Sequence, residues 1–212
     1  MDNSGLNPWN PREYSKGIGK TLLWLSAVAS IILGLFSFTA AKADPVPPKP
    51  SSISYVYDYA NLLEPSDLQH IKQIAKIIDD KTRAQLVVVT VKDLDGKSLE
   101  EYSLNLFRSW GIGDKEKNNG VLLLINKKNL IENRSGRIRI EVGYGLEGAI
   151  NDGKAGAILD NYALPAFEKK DYSRGIAQAF MAISSEVAKE YDLHLEGDLA
   201  NLEEYEIDQG DS

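Results

Sequence analysis

The chain contains no cysteine, and that absence removes several kinds of chemistry at once. There is no thiol nucleophile, no zinc–thiolate centre and no disulfide to hold a small fold together, so a folded domain must rely on its buried core. Histidine is almost missing as well: only His70 and His194 occur. No Ser-His-Asp set and no phosphate-binding P-loop motif is evident. Beyond residue 41 no apolar run is long enough to span a bilayer. A basic surplus is also lacking. The chain has 24 Lys and Arg against 31 Asp and Glu, for a formal net charge of −7, which is not the footprint of a nucleic-acid binder.

What is present begins with a routing signal. Arg12, Lys16 and Lys20 precede an uncharged, mostly apolar run from Thr21 to Ala41, which ends in Ala41-Lys42-Ala43. Charge, apolar run and small-x-small site together read as a secretory signal peptide over 1–43, with a mature start at Asp44. Left uncleaved, the same run is long enough to act as an anchor. Both readings export the rest of the chain, so the expected location is extracytoplasmic. Residues 44–52 hold four prolines, Pro45, Pro47, Pro48 and Pro50, and read as an extended, semi-rigid spacer. Residues 192–212 carry eight acids and no Lys or Arg, the composition of a solvated tail or of an arm that attracts cations or a partner. The segment between, 53–191, suffices for one domain with a single core.

Within it, Ile53 to Tyr57 reads as a short strand. Glu64-Pro65-Ser66-Asp67 opens a helix, with proline at the first helical position and acid in the first turn. Leu68, Ile71, Ile74, Ala75 and Ile78 then recur at helical spacing to about Lys81. The run Gln85–Val91 has no polar face and reads as a strand buried on both sides. Ser98-Leu-Glu-Glu101 is a capping box for a helix whose buried stripe is Leu99, Tyr102, Leu106 and Trp110. Val121–Ile125 is a second buried strand. After a polar, basic loop from Asn126 to Gly136, Arg137–Val142 alternates inward Ile138, Ile140 and Val142 with outward Arg139 and Glu141. That strand should pair with Val121–Ile125 as an antiparallel hairpin. A small-residue helix should start near Asn151-Asp152-Gly153 and stop at Pro165. A last helix from Asp171 should bury Ile176, Phe180, Ile183 and Val187. The order predicts a three-layer α/β/α sandwich around a small mixed sheet, with right-handed crossovers.

Three glycine-rich corners flank the hairpin: Trp110-Gly-Ile-Gly-Asp114, Asn118-Asn119-Gly120, and Glu141-Val-Gly-Tyr-Gly-Leu-Glu-Gly148. Antiparallel pairing would bring the start of one strand beside the end of the other. Asp114, Asn118, Asn119, Glu147 and Asp152 would then share one edge of the sheet. All offer oxygen, which suits Ca²⁺ or Mg²⁺ rather than zinc or copper. The competing reading is structural: Asp152 as a helix N-cap, Asn119-Gly120 as a turn, Gly143 and Gly145 as positive-φ residues. Asp58 and Asn61 could reach the same edge or form a cap or Asx-turn. Trp110 reads as core or as a lid over the loop, Tyr144 as a loop staple or a ligand contact, and His70 as solvated. Lys127, Lys128, Arg134 and Arg137 give the hairpin loop a basic end, either solvated or suited to phosphate or lipid headgroups.

The chain resembles the TPM domain family over about 55–191. The resemblance is carried by Val56-Tyr-Asp58 with Ala60-Asn-Leu-Leu63, Ala84-Gln-Leu-Val-Val-Val89, Trp110-Gly-Ile-Gly113, Asn119-Gly-Val-Leu-Leu-Leu124, and above all Glu141-Val-Gly-Tyr-Gly-Leu-Glu-Gly148 with Asp152. Pro165, Phe167, Tyr172 and Gly175 match in the closing helices. It implies an α/β/α fold in an extracytoplasmic or thylakoid-lumen protein and, in some members, Ca²⁺ or another divalent ion near the acidic loops. It also implies a weak acid phosphatase activity in plant members, a role in photosystem II repair in photosynthetic relatives, and receptor modulation in an animal branch. Many bacterial members end in a transmembrane helix and Gly-rich tail, where this chain has its acidic tail.

Two expectations follow. The first is a divalent-cation-binding accessory module for an extracytoplasmic membrane complex. The alternative is a metal-assisted phosphomonoesterase acting on a small phosphoester, in which Asp114 and Glu147 hold the ion and Asp58 or Asp152 acts on water or leaving group.

Overall fold

A computed structural model of the chain describes residues 46–52 and 54–193. The expected signal or anchor segment, 1–43, and the acidic tail beyond 193 lie outside the described residues. Among the described residues no helix is long and apolar enough to cross a membrane.

Four strands form one sheet in sequence order: β1 (Val56–Asp58), β2 (Gln85–Val91), β3 (Gly120–Asn126) and β4 (Ile138–Val142). β1, β2 and β3 run parallel, and β4 returns antiparallel to β3 with Val121 opposite Val142 and Ile125 opposite Ile138. The sheet is mixed and the hairpin is antiparallel, as expected. β2 and β3 are buried nearly throughout, because both of their faces are covered.

One face carries α1 (Pro65–Thr82), α4 (Asp152–Ile158), α5 (Leu164–Glu168) and the long α6 (Tyr172–Glu190). Their Ile71, Ile74, Ile78, Ile176, Phe180 and Ile183 pack on Leu86, Val88, Leu123 and Ile140. Of the described helices, α2 (Leu99–Trp110) alone lies on the other face, where its Tyr102, Leu106 and Trp110 meet Val87, Val89, Leu122 and Leu124. The fold is thus a three-layer α/β/α sandwich. Truncating a fully buried member such as Leu106 to alanine should cost about 2–5 kcal/mol. The Pro-rich segment is part of this second layer: Val46 is buried there and the Trp110 indole Nε1 donates to the Pro47 carbonyl at 2.8 Å.

Three expectations need correction. α1 and α2 lie on opposite faces although β1, β2 and β3 are neighbours in order, so the two crossovers have opposite hands and one is left-handed. The hairpin loop is not wholly irregular: Asn126 caps a short helix, α3 (Lys127–Ile131), by accepting from the Lys128 amide. The chain also stays helical through Pro165. A π-helical turn, Leu159–Ala163, leads into α5, where Pro165 sits in the first turn and its missing N–H breaks no bond.

Candidate functional site

The corners that flank the hairpin meet, and they meet backbone to backbone. The Gly143 amide donates to the Gly120 carbonyl at 2.8 Å and the Gly145 amide to the Asn118 carbonyl at 3.0 Å. A Cβ on Gly143 would lie 2.2 Å from the Asn118 carbonyl oxygen, and one on Gly145 2.0 Å from that of Lys117. A Cβ on Gly120 would lie 2.1 Å from the carbonyl oxygen of Ile112. These glycines are required by close approach, not by positive φ: of the corner residues, Gly111, Gly113 and Asn118 have the left-handed backbone, and Gly143 and Gly145 do not.

Asn119 is taken up by this construction. It is fully buried, its Oδ1 accepts from the Asp114 amide at 3.0 Å, and its Nδ2 donates to the Tyr191 hydroxyl at 2.7 Å. Asp114 closes its own turn, its Oδ1 accepting from the amides of Glu116 and Lys117 at 2.9 and 3.1 Å. Those two amides, aided by Arg83, hold its carboxyl below the ordinary value, so it is ionised at neutral pH. Its other oxygen faces Arg83 Nη2 at 3.4 Å.

With Asn119 buried, the other four candidate ligands separate into two groups. Asp114 and the exposed Asn118 line a cleft of about 280 Å³ with Phe107, Lys115 and Tyr144. The exposed Glu147 and Asp152 line a groove of about 400 Å³ along β4 with Glu141 and Asn151. Among the described residues no group of three or more His, Asp or Glu is disposed to hold a metal ion. A cation at Asp114 would therefore draw on amide and carbonyl oxygens and water for its remaining ligands, as Ca²⁺ and Mg²⁺ do. Asp152 is not the helix cap; Asn151 is, its Oδ1 accepting from the Lys154 amide at 2.9 Å.

Asp58 does not reach this edge. It is opposite Thr90, which is opposite Ile125, so it lies at the far end of the parallel strands from Gly120. Five residues of strand, about 16 Å, separate the two levels. There its carboxylate accepts from the Leu62 and Leu63 amides and from the Thr90 hydroxyl at 2.5–3.1 Å. Asn61 belongs to the same turn, donating its amide to the Asp58 carbonyl. Trp110 is core. Tyr144 is no staple: it is 81% exposed. His70 is exposed. The basic residues of the loop have partners within it and outside it: Lys127 donates to the Ala60 carbonyl, Lys128 pairs with Asp93, Arg134 with Glu132, and Arg137 donates to Asn133.

One feature escaped sequence reasoning. Asp79, Asp80 and Arg83 at the C-terminus of α1 line a pocket of about 290 Å³ with Gln85 and Asp114. Burial and the Asp79 carboxylate, which accepts from its hydroxyl at 2.9 Å, push the Tyr55 phenol up. Consecutive carboxylates in the last turn of a helix, where the dipole disfavours them, were the available signal.

Residues 56–186 match the TPM domain family. Among solved structures, the chain is similar to the N-terminal domain of a protein from P. gingivalis, at 28% identity and a TM-score of 0.59, covering 66% of this chain and 85% of that one. It is also similar in fold to the BA42 protein from the psychrophilic bacterium Bizionia argentinensis, at 13% identity and a TM-score of 0.50, covering 62% and 85%. A search of curated proteins returned no match.

Proposed function

The chain belongs to the TPM domain family, and from that premise we propose that it works as a binding module rather than a hydrolase. It docks on an extracytoplasmic membrane complex through the loop end of its sheet and takes one hard divalent cation, Ca²⁺ or Mg²⁺, at that end. The segment 1–43 exports it. The observation that carries this reading is the construction of the loop end. Backbone contacts that admit no Cβ fix the corners, and on that rigid base stand an exposed aromatic, Tyr144, and an ionised carboxylate, Asp114, around one cleft. A rigid amphipathic ring loses little entropy on binding, which is why tyrosine anchors so many interfaces. Asp114 and Asn118 are the side chains that would hold the ion, which would supply positive charge for an anionic group of the partner.

The phosphomonoesterase reading has less support. Asp58 lies at the other end of the sheet, committed to two amides and a hydroxyl. Asp114 and Glu147 line separate cavities.

Calorimetric titration of the chain with CaCl₂, beside hydrolysis of p-nitrophenyl phosphate, separates the two. Asp114→Asn is the useful variant, because it keeps an acceptor for the Glu116 and Lys117 amides. The expected result is saturable single-site heat for the native chain, affinity at least tenfold weaker for the variant, and no turnover that depends on Asp114. No heat in the native chain would end the cation reading. Turnover that falls tenfold in a folded Asp114→Asn chain would make the protein an enzyme.

A further inference from the structure

The sheet has two edges, and they are treated differently. β1 is three residues long and is preceded by Tyr55 in the left-handed conformation, so that edge is short and bent. β4 is five residues long, and among the described strands its only partner is β3. In the hairpin, Gly143 bonds Gly120 and Asn126 bonds Arg137. Hydrogen-bonded pairs alternate along an antiparallel ladder, so Arg139 and Glu141 face β3 with their amides. Ile138, Ile140 and Val142 turn their N–H and C=O groups outward, where no described residue bonds them. Natural edges of this kind are blunted by charged side chains, proline, a bulge or a covering element; β4, Ile-Arg-Ile-Glu-Val, has no proline and no bulge, and its two charges are of opposite sign.

We infer that the β4 edge is a self-pairing surface, on which a second copy of this chain adds its own β4 antiparallel across a two-fold axis at Ile140. This register sets Ile138 against Val142 of the partner subunit and Ile140 against Ile140 of the partner subunit, each pair joined by its outward amides and carbonyls. It sets Arg139 against Glu141 of the partner subunit, and the reverse, so opposite charges lie directly across the junction. Moving the axis to Arg139 or Glu141 would put like charges face to face and shorten the overlap. Arg139 and Glu141 project on the α2 side, where Glu141 Oε2 accepts from Ser103 Oγ at 2.8 Å and Arg139 Nε at 3.0 Å. Ile138, Ile140 and Val142 project on the other side, packed with the larger core, so an added strand extends an apolar layer that already exists. There is room beside β4. The grooves along it, about 400 and 380 Å³, are lined also by Asp152, Ala155 and Gly156, and Gly156 meets nothing within 4 Å of an added Cβ. The product is one continuous eight-stranded sheet with its two loop ends facing opposite ways.

The absence of cysteine makes the test clean. Ile140→Cys in the full chain, held in mild detergent, places two thiols across the axis at a Cα separation of about 5.5 Å, within disulfide range. Mild oxidation should give a covalent dimer at least tenfold faster than Lys76→Cys on the exposed face of α1. Adding R139E or E141R to Ile140→Cys should each suppress the link at least tenfold, and mixing those two double variants should restore it as a heterodimer. Linking no faster than at Lys76, or unchanged by either charge reversal, would overturn the inference. So would failure of the mixture to link while each variant melts as a folded protein, which would leave β4 an edge for some other chain's strand.

Discussion

The two ends of the sheet are held by different means. At the end where β3 begins and β4 finishes, three loops touch through backbone atoms, and Gly120, Gly143 and Gly145 are the residues that let them. At the other end the work is done by side chains. Asp58 gathers two amides and the Thr90 hydroxyl, Asn126 caps α3, Lys127 reaches the Ala60 carbonyl, and Lys128 pairs with Asp93. Side-chain contacts can be exchanged one at a time with graded losses. A backbone contact with no room for Cβ cannot. The rigid end is also the end with the exposed tyrosine and the ionised aspartate, which fits a surface meant to hold its shape when something docks.

That contrast can be broken by substitution. Gly145→Ala should have the largest effect, because its Cβ would overlap a backbone carbonyl oxygen and a loop must move; the expected loss is about 3 kcal/mol or more, read by urea or thermal unfolding. A native-like melt would mean that the corners do not touch. Asn119→Ala should come next, at about 1–3 kcal/mol, since it removes a buried side chain that accepts from the Asp114 amide and donates to Tyr191. Asp58→Ala at the far end should lose a similar or smaller amount, and the Asp114 surroundings should not change. Acid should act through Asp114. Its carboxyl is held down in the fold by two amides and Arg83, so its contribution is present above the unfolded value of about 3.9 and is lost as pH falls through the lower folded value. The native chain should therefore lose more stability than Asp114→Asn below about pH 4, and the two should run parallel at neutral pH. Lys128→Ala, which breaks an exposed ion pair, should leave the melting temperature within experimental error.

Much of this was legible in the residues. The continuous apolar runs of β2 and β3, the 3.6-residue stripes of α1 and α2, and the alternation in β4 each have one period and one solution. Hairpin pairing alone brings the corners together, so their meeting followed from local pattern. What could not be read was long-range. Gly143 and Gly145 look like positive-φ residues until the carbonyls of Asn118 and Lys117 are seen against them. Asn119 looks like a turn residue or a ligand, and the partner of its buried amide nitrogen, Tyr191, lies 72 positions away. Asp58 seemed free to join the acidic corner because parallel strands had not yet assigned it to the opposite end. Pro165 resembled a stop because a π-helical turn leaves no mark that local spacing reveals.

The claim on which the functional reading rests is that the loop end is where a hard cation and a partner meet the protein. Amide chemical shifts of the isotope-labelled chain, followed while Ca²⁺ is added, test it most directly. The account predicts saturable shifts concentrated in residues 111–120 and 143–147, absent in Asp114→Asn. Shifts centred on Asp58 and the α3 end, or no saturable shift anywhere, would contradict it.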